Sequence, residues 1–298
     1  MKTANFIRIV SLLLINCIAF GLSAQNADTP TFGKREKLSR IKDEHLDEIS
    51  GIVESINNPY YYWVHNDSGD DAVVYLIDTL GYTVARVHLE GGKNRDWEDI
   101  AIGKDSLTNR AYVFVGDIGD NLARHNIKQI LRFEEPIITA NDSVQDIFIS
   151  DFCTIHFDYS DGKRDAESLM YDPISQNLYV FSKREKKIRM YELPAFGVCG
   201  DTVIAVKQLT IGFSYATAAD ISSDGTEILL KNYSNVLYWK RHPAHTIAET
   251  MIRKGEKVRY IPEPQGEAIC WTKDGNYITV SEKKNVGEMP FMYLYRRK

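Results

Sequence analysis

Three glutamates and a serine hold equivalent places in a short motif that recurs along the chain, and this recurrence is its strongest chemical signal. The fullest copy is Arg95-Asp96-Trp97-Glu98-Asp99-Ile100-Ala101. The others are Glu48-Ile49-Ser50-Gly51-Ile52, Arg164-Asp165-Ala166-Glu167-Ser168-Leu169, Ala218-Ala219-Asp220-Ile221 and Gln265-Gly266-Glu267-Ala268-Ile269. Taken as equivalent, Ser50, Glu98, Glu167, Ala219 and Glu267 are spaced by 48, 69, 52 and 48 residues. If each copy opens an element that points at one axis, the carboxylates approach one another, and like charges held close cannot all ionise unaided. A hard cation with oxygen ligands answers that repulsion, and calcium, which takes about 6 to 8 oxygens in irregular geometry, suits it better than magnesium. The predicted metal set is therefore Ser50, Glu98, Glu167 and Glu267, with calcium as the cofactor. The alternative is that the glutamates bond neighbouring backbone amides around a water-filled channel.

The residues after each copy repeat as well: a polar turn, then a run rich in aromatic and β-branched residues. The runs are Tyr60 to Val64, Ala111 to Val115, Leu178 to Phe181, Ile228 to Leu230 and Tyr277 to Val280. Short strands with Gly, Asp and Asn turns at this period indicate a solenoid or a propeller. Helical periodicity is almost absent; the one amphipathic candidate, Pro243 to Arg253, reads better as a connection. The fold expected is all-β, a single five-bladed propeller over residues 38–298, since propellers use about four to eight blades of four strands. Six blades is the alternative, because the long gap from Glu98 to Glu167 has room for a degenerate unit around Ile137 to Ile149; the excess is read as an insertion over Asn121 to Asp151. The strand Leu38 to Lys42 has no repeat of its own. It is expected to pair with Met292 to Arg296 and close the ring, which removes an exposed edge.

In such a ring the residues before each marker and those after each β-rich run share one mouth. Asp67, Asp96, Asp117 and Asp120 then fall on the first two blades, and Arg164, Lys183, Arg184, Lys231 and Lys283 on the other three. That segregation suits a metal or activated water on one side and an anion on the other, with Glu282 or Asp96 taking the proton. The candidate catalytic set is Asp67, Asp96, Asp117, Arg164, Lys183, Lys231 and Glu282. Ion pairs knitting adjacent loops explain the same residues equally well. The loops Asn66 to Asp70 and Gly116 to Asn121 are read either as oxygen-ligand loops or as turns.

Residues 1–24 carry Lys2 and Arg8 before an apolar run, Ile9 to Leu22, and end in small residues, the pattern of a signal peptide. The run is too short to span a membrane comfortably, so the protein is expected to be exported, periplasmic or secreted, with no membrane span in its mature form. Residues 25–37 read as a flexible leader, with Pro30 and Gly33 as breakers. The cut takes away two of the 36 basic residues and none of the 41 acidic ones, leaving a formal charge of −7 that disfavours nucleic acid. Three cysteines remain, Cys153, Cys199 and Cys270; a Cys153–Cys199 bridge is open to them, but nothing in the spacing fixes it. No zinc spacing, no Gly-x-Ser-x-Gly elbow and no phosphate-cradling glycine loop occurs in the sequence. A monomer is expected.

Asp96-Trp97-Glu98-Asp99-Ile100-Ala101, Val115-Gly116-Asp117-Ile118-Gly119-Asp120-Asn121, Asp165-Ala166-Glu167-Ser168-Leu169 and Gln265-Gly266-Glu267-Ala268-Ile269 resemble the signature of a group of secreted bacterial propeller proteins with no settled activity. More remotely, the order Ser, Glu, Glu, small residue, Glu is similar to the central calcium ring of the five-bladed calcium-activated nucleotidases, the apyrases, and Asn66-Asp67-Ser68-Gly69 resembles their acidic loop. That resemblance implies Ser50, Glu98, Glu167 and Glu267 as calcium ligands. The family's fourth-blade serine is Ala219 here, which leaves a backbone carbonyl or Thr217 at that point, so nucleotidase activity is not implied with the ring. Two functions stand: a metal-assisted hydrolase of a small anionic ester (phosphate or phosphoanhydride, and after these a lactone), or a non-catalytic propeller that binds a glycan, peptide or envelope partner.

Overall fold

A computed structural model describes residues 29–139, 143–283 and 288–298. The signal peptide expected over 1–24 lies outside the described residues. After β1 (Glu36–Arg40), a first sheet is laid down by β2 (Ile49–Glu54), β3 (Tyr62–Asn66), β4 (Val73–Ile77) and β5 (Thr83–Leu89). Next come β6 (Trp97–Lys104), β7 (Ala111–Asp117), β8 (Lys128–Glu134), β9 (Gln145–Ile149) and β10 (Cys153–Tyr159). The third group is β11 (Ala166–Asp172), β12 (Asn177–Ser182), β13 (Ile188–Pro194) and β14 (Thr202–Ile211). The fourth is β15 (Ala216–Ile221), β16 (Glu227–Asn232), β17 (Val236–Lys240) and β18 (Glu256–Val258), with the short helix α1 (Ile247–Met251) in the last connection. The chain ends with β19 (Ala268–Trp271), β20 (Tyr277–Val280) and β21 (Phe291–Tyr295).

Burial explains the composition of these strands. Along β3 and β11 every residue is buried, whereas the outer strand β10 alternates buried with half-buried positions. Inner strands are covered on both faces and so read as continuous apolar runs; outer ones face water on one side and alternate. The covering is mutual. One apolar layer packs Trp63 and Val74 of the first sheet against Trp97 and Val113 of the second, and the next layer packs Phe114 against Tyr171 and Leu178. The series continues with Met170 and Tyr179 against Ile228 and Trp239, then Leu229 and Tyr238 against Trp271 and Tyr277. Ile278 and Met292 finally return to Ile52 and Val64 of the first sheet. The innermost strands β2, β6, β11, β15 and β19 touch in that order and β19 touches β2, so the sheets form a closed ring of the propeller type.

The closing strand is present: β1 pairs antiparallel with β21, Lys37 opposite Tyr293 and Arg40 opposite Phe291. The expected loose leader is tied down from Phe32 onward. Phe32 is buried, its ring edge-on to Tyr277 at 4.7 Å, and the Gly33 amide donates to the Arg296 carbonyl at 2.7 Å. An aromatic residue that fills a gap at the ring seam outweighs the flexibility suggested by Pro30 and Gly33.

The expected insertion over Asn121 to Asp151 also resolves differently. Lys128 to Glu134 is β8, the regular third strand of the second sheet, with Ile130 and Phe133 buried. Gln145 to Ile149, β9, runs parallel to β5 and adds a strand to the first sheet, so the excess is spent on bracing two neighbouring sheets. The outermost strands β10 and β14 pair in parallel and fuse the second and third sheets into one of eight strands. A Cys153–Cys199 disulfide ties β10 to the loop before β14; Cys270 is buried and free. Among the described residues no helix is long and apolar enough to cross a membrane.

Candidate functional site

Four of the five inner strands begin with a fault in their pairing, and β19 pairs with β20 without one. The register between β2 and β3 slips between Ile49 and Gly51, that between β6 and β7 between Trp97 and Asp99, and that between β11 and β12 between Ala166 and Ser168. The residues left unpaired are Ser50, Glu98 and Glu167. A bulge of this kind re-aims one side chain without ending the strand. On the fourth inner strand the slip lies between Ala216 and Ala218, so the equivalent residue is Thr217 and not the expected Ala219. Matching the repeats on the aliphatic Ile221 falls two residues out of register, because the pairing that defines the bulge leaves no mark in spacing alone.

Glu98 is the hub of the resulting mouth. One oxygen each of Glu98, Asp165 and Glu167 lies within 4.8 Å of the others, and the same holds for Asp67, Asp96 and Glu98. All three members of the first group are buried. The loop leaving β7 reaches this cluster closely because Gly119 has no side chain: a Cβ there would collide with the Glu98 and Asp96 carboxylates.

Local partners hold several members in place. The Asp120 amide donates to Asp165 at 2.8 Å and Arg184 Nε at 2.6 Å. Lys183 Nζ donates to Glu167 Oε2, the Tyr233 hydroxyl donates to Glu267 Oε1 at 2.7 Å, and Ser50 Oγ donates to the Glu98 carbonyl at 2.6 Å. Glu267 falls in neither close group. Of the four predicted ligands, the structure therefore brings Glu98 and Glu167 together and adds Asp165, Asp67 and Asp96, which come from the loops flanking the bulges.

The electrostatics follow from burial. Burial first, and then Glu167, Asp67 and Asp96, push Glu98 well above the usual carboxylate range. Asp96 is raised to about 6 by burial and by Asp67 and Asp165; Glu282 is raised to about 7 by burial and by Glu267. Burial opposes the charge of Lys183, but Glu167 and Glu267 outweigh it and hold the ammonium above the ordinary lysine range. With Lys183 committed to Glu167, the uncompensated charge falls on Glu98.

The other expected residues lie elsewhere. Asp117 is buried and braces its own loop, accepting from the Asp96 amide at 2.9 Å and from Gln129 at 2.6 Å. Arg164 is held by Asp161 at 2.8 Å and Glu185 at 2.7 Å, with its guanidinium 5.3 Å from the Tyr191 ring centre. Lys231 is fully buried, donates to the Gly266 carbonyl, and is lowered to about 8 by burial despite Glu263 and Glu267. Lys283 sits 3.7 Å from Asp47. The basic arc expected to face an anion is thus largely consumed by pairing within the wall, and Lys183, on Glu167, and Arg184, on Asp165, are the members of that arc paired with the carboxylate cluster. The Asn66 to Asp70 loop works as a turn, with Asn66 Nδ2 donating to Asp70 at 2.8 Å and Gly69 at a φ of 88°.

Sequence reasoning missed Asp99, the residue beside the hub. Its carboxylate is fully buried and crosses to two neighbouring inner strands, accepting from the amides of Leu169 at 2.8 Å and Ala219 at 3.2 Å. Asp220, two sheets further on, crosses to one neighbouring inner strand, accepting from the Trp271 amide at 2.7 Å. Both lay inside the repeat motif, but an acidic residue flanked by apolar ones in a strand gives no sign of whether it faces solvent or a neighbour's backbone.

No family profile and no curated protein matches the sequence. Several solved structures are similar in shape. The PQQ-bound aldose sugar dehydrogenase of Streptomyces coelicolor matches with a TM-score of 0.48 at 10% identity, over 91% of this chain and 100% of that one. The hydrazine synthase of Kuenenia stuttgartiensis matches with 0.44 at 11% identity, over 87% of this chain and 65% of that one. A chain of the nidogen/laminin complex matches with 0.42 at 11% identity, over 78% and 72%.

Proposed function

We propose that the protein is an exported five-bladed propeller that holds a divalent cation, calcium, at the carboxylate mouth of its ring. One observation carries this reading: Glu98, buried, is shared by two groups of converging carboxylates whose charge Lys183 alone does not balance. The donors are all oxygens, which suits a hard cation. Glu98, Asp165 and Glu167 would hold it, with Asp96 and Asp67 on its outer side and the Gly119 backbone closing the cradle. The blade count rests on five inner strands and five interleaved apolar layers.

A ligand that binds the native state alone raises its stability with concentration. The melting temperature is therefore expected to rise with calcium and to fall on chelation. A melt that ignores both, together with no metal by elemental analysis, sinks the proposal.

A second reading, hydrolysis of a phosphate-type ester, is favoured by one feature: Glu282, outside the two carboxylate groups, is raised to about 7, the range in which a general base works best. A bound cation would there supply Lewis acidity to an anionic oxygen. Lys183 is the side chain placed to meet the same anion. A panel of phosphatase, nucleotidase and lactonase substrates, with and without calcium, decides between the hydrolase and a non-catalytic binding propeller. If turnover is found, Lys183→Met is expected to lower it by roughly a hundredfold or more, while Lys231→Met changes stability and leaves turnover per folded molecule alone. Turnover that tracks only the folded fraction in both variants ends the catalytic reading.

A further inference from the structure

A cavity lies at the other end of the axis. It holds about 510 Å³ and is lined from all five inner strands or the turns that follow them, by Glu54, Ile102, Tyr171, Asp220 and Trp271 among others. That volume falls within the roughly 300–1,000 Å³ typical of small-molecule sites. Lys104, Ser106 and Lys273 among its lining residues are exposed, so it opens to solvent.

Its walls combine aromatic faces with carboxylates. The Tyr171 ring is fixed, its hydroxyl donating to the Lys104 carbonyl at 2.7 Å and its face packed directly on Gly103, where a Cβ would collide with it. Trp271 adds an indole ring to the same wall. Glu54 accepts from the Lys273 backbone amide, while the Lys273 ammonium sits 3.4 Å from the Tyr60 ring centre and acts on the carboxylate through space without an ion-pair contact. Asp220, with its oxygens on the amides of Ile221 at 2.8 Å and Trp271 at 2.7 Å, places a second carboxylate in the wall. The two lysines of the lining, Lys104 and Lys273, are exposed at its opening, so an ammonium that passes them meets the Glu54 and Asp220 carboxylates beside apolar walls.

We propose that this turn-end cavity binds a small organic amine, its ammonium against Glu54 and its apolar body against Ile102, Tyr171, Pro173 and Trp271. Burial raises the proton affinity of Glu54, as expected of a carboxylate set beside apolar walls with its charge only partly met. The site is distinct from the carboxylate mouth, which lies at the opposite ends of the same strands.

Three isosteric probes test it by calorimetry in calcium-saturated buffer: phenethylamine, 2-phenylethanol and 3-phenylpropanoate. The amine is expected to bind at one site, about tenfold or more tighter than the alcohol, as a charged hydrogen bond allows, and the propanoate not at all. Glu54→Gln keeps an acceptor for the Lys273 amide and should cost the amine that tenfold. Ser106→Trp, at an exposed position of the opening, should block binding, and it decides the matter if Glu54→Gln does not fold. Glu98→Gln, at the opposite end, should leave amine affinity unchanged. Equal binding of amine and alcohol, loss of binding in Glu98→Gln instead of the cavity variants, or no amine binding at millimolar concentration overturns the proposal.

Discussion

Glu98 offers the most direct test of whether the mouth needs a cation, because it belongs to both groups of converging carboxylates. Glu98→Gln removes that charge at nearly constant volume. It is expected to abolish the rise of melting temperature with calcium, and in calcium-free buffer to melt no lower than the parent. A variant that keeps the full calcium response places the ion elsewhere. At this scale the sequence was informative where a residue type recurred in a fixed frame: Glu98 and Glu167 do converge. It was misleading where the outcome depended on distant partners. Arg164 and Lys231 looked available for an anion, yet Asp161, three residues from Arg164, and the more distant Glu185 and Gly266 carbonyl occupy them. Thr217 shows a third case. Its place beside Ser50 and Glu98 is set by a pairing fault, a property of two strands rather than one.

The elements themselves were legible because inner strands are buried on both faces and therefore apolar throughout. β8 and β9 were not. Ile137 to Ile149 carries no copy of the repeat's turn-plus-marker pattern, and the side on which β9 docks is a matter of tertiary packing with β5, which local composition does not encode. The seam offers the clearest prediction at this scale. β1 completes the last sheet through β21, and Phe32 seals it against Tyr277. Deleting residues 25–40 should lower the melting temperature of the whole molecule in a single transition, as calorimetry would show, since an open ring exposes both the β21 edge and an aromatic face. A second, separate transition for the last sheet alone would mean that the ring does not fold as one cooperative unit.

For the molecule as a whole, the raised carboxylates set the pH response. Asp96 at about 6, and Asp220 and Glu282 each at about 7, bind protons more tightly folded than at their ordinary values of 3.8, 3.8 and 4.5. The folded state then carries more protons than the unfolded one across that window, so stability is greatest below it and is lost as pH rises from about 4 to about 7. Without calcium, urea midpoints should fall over this range. Calcium should flatten the part due to Asp96, because a bound cation replaces the proton, and leave the part due to half-buried Asp220. A midpoint that rises with pH would contradict the raised values. The parallel β10–β14 seam has a mechanical counterpart to this chemistry. Glu98 and Glu167 stand on β6 and β11, the inner strands of the two sheets that this seam and the Cys153–Cys199 bridge weld together, whereas Ser50 and Glu267 stand on β2 and beside β19, next to the join made by β1. The ring is stiff on one side and hinged on the other, like a bracelet with a single clasp. Amide exchange should be slowest in β6, β7, β11 and β12 and faster in β19 to β21; the reverse order would refute the clasp. Any breathing of the axis would then leave the Glu98–Glu167 jaw fixed and swing the Ser50 and Glu267 side away from it, so whatever enters the mouth would do so past the clasp.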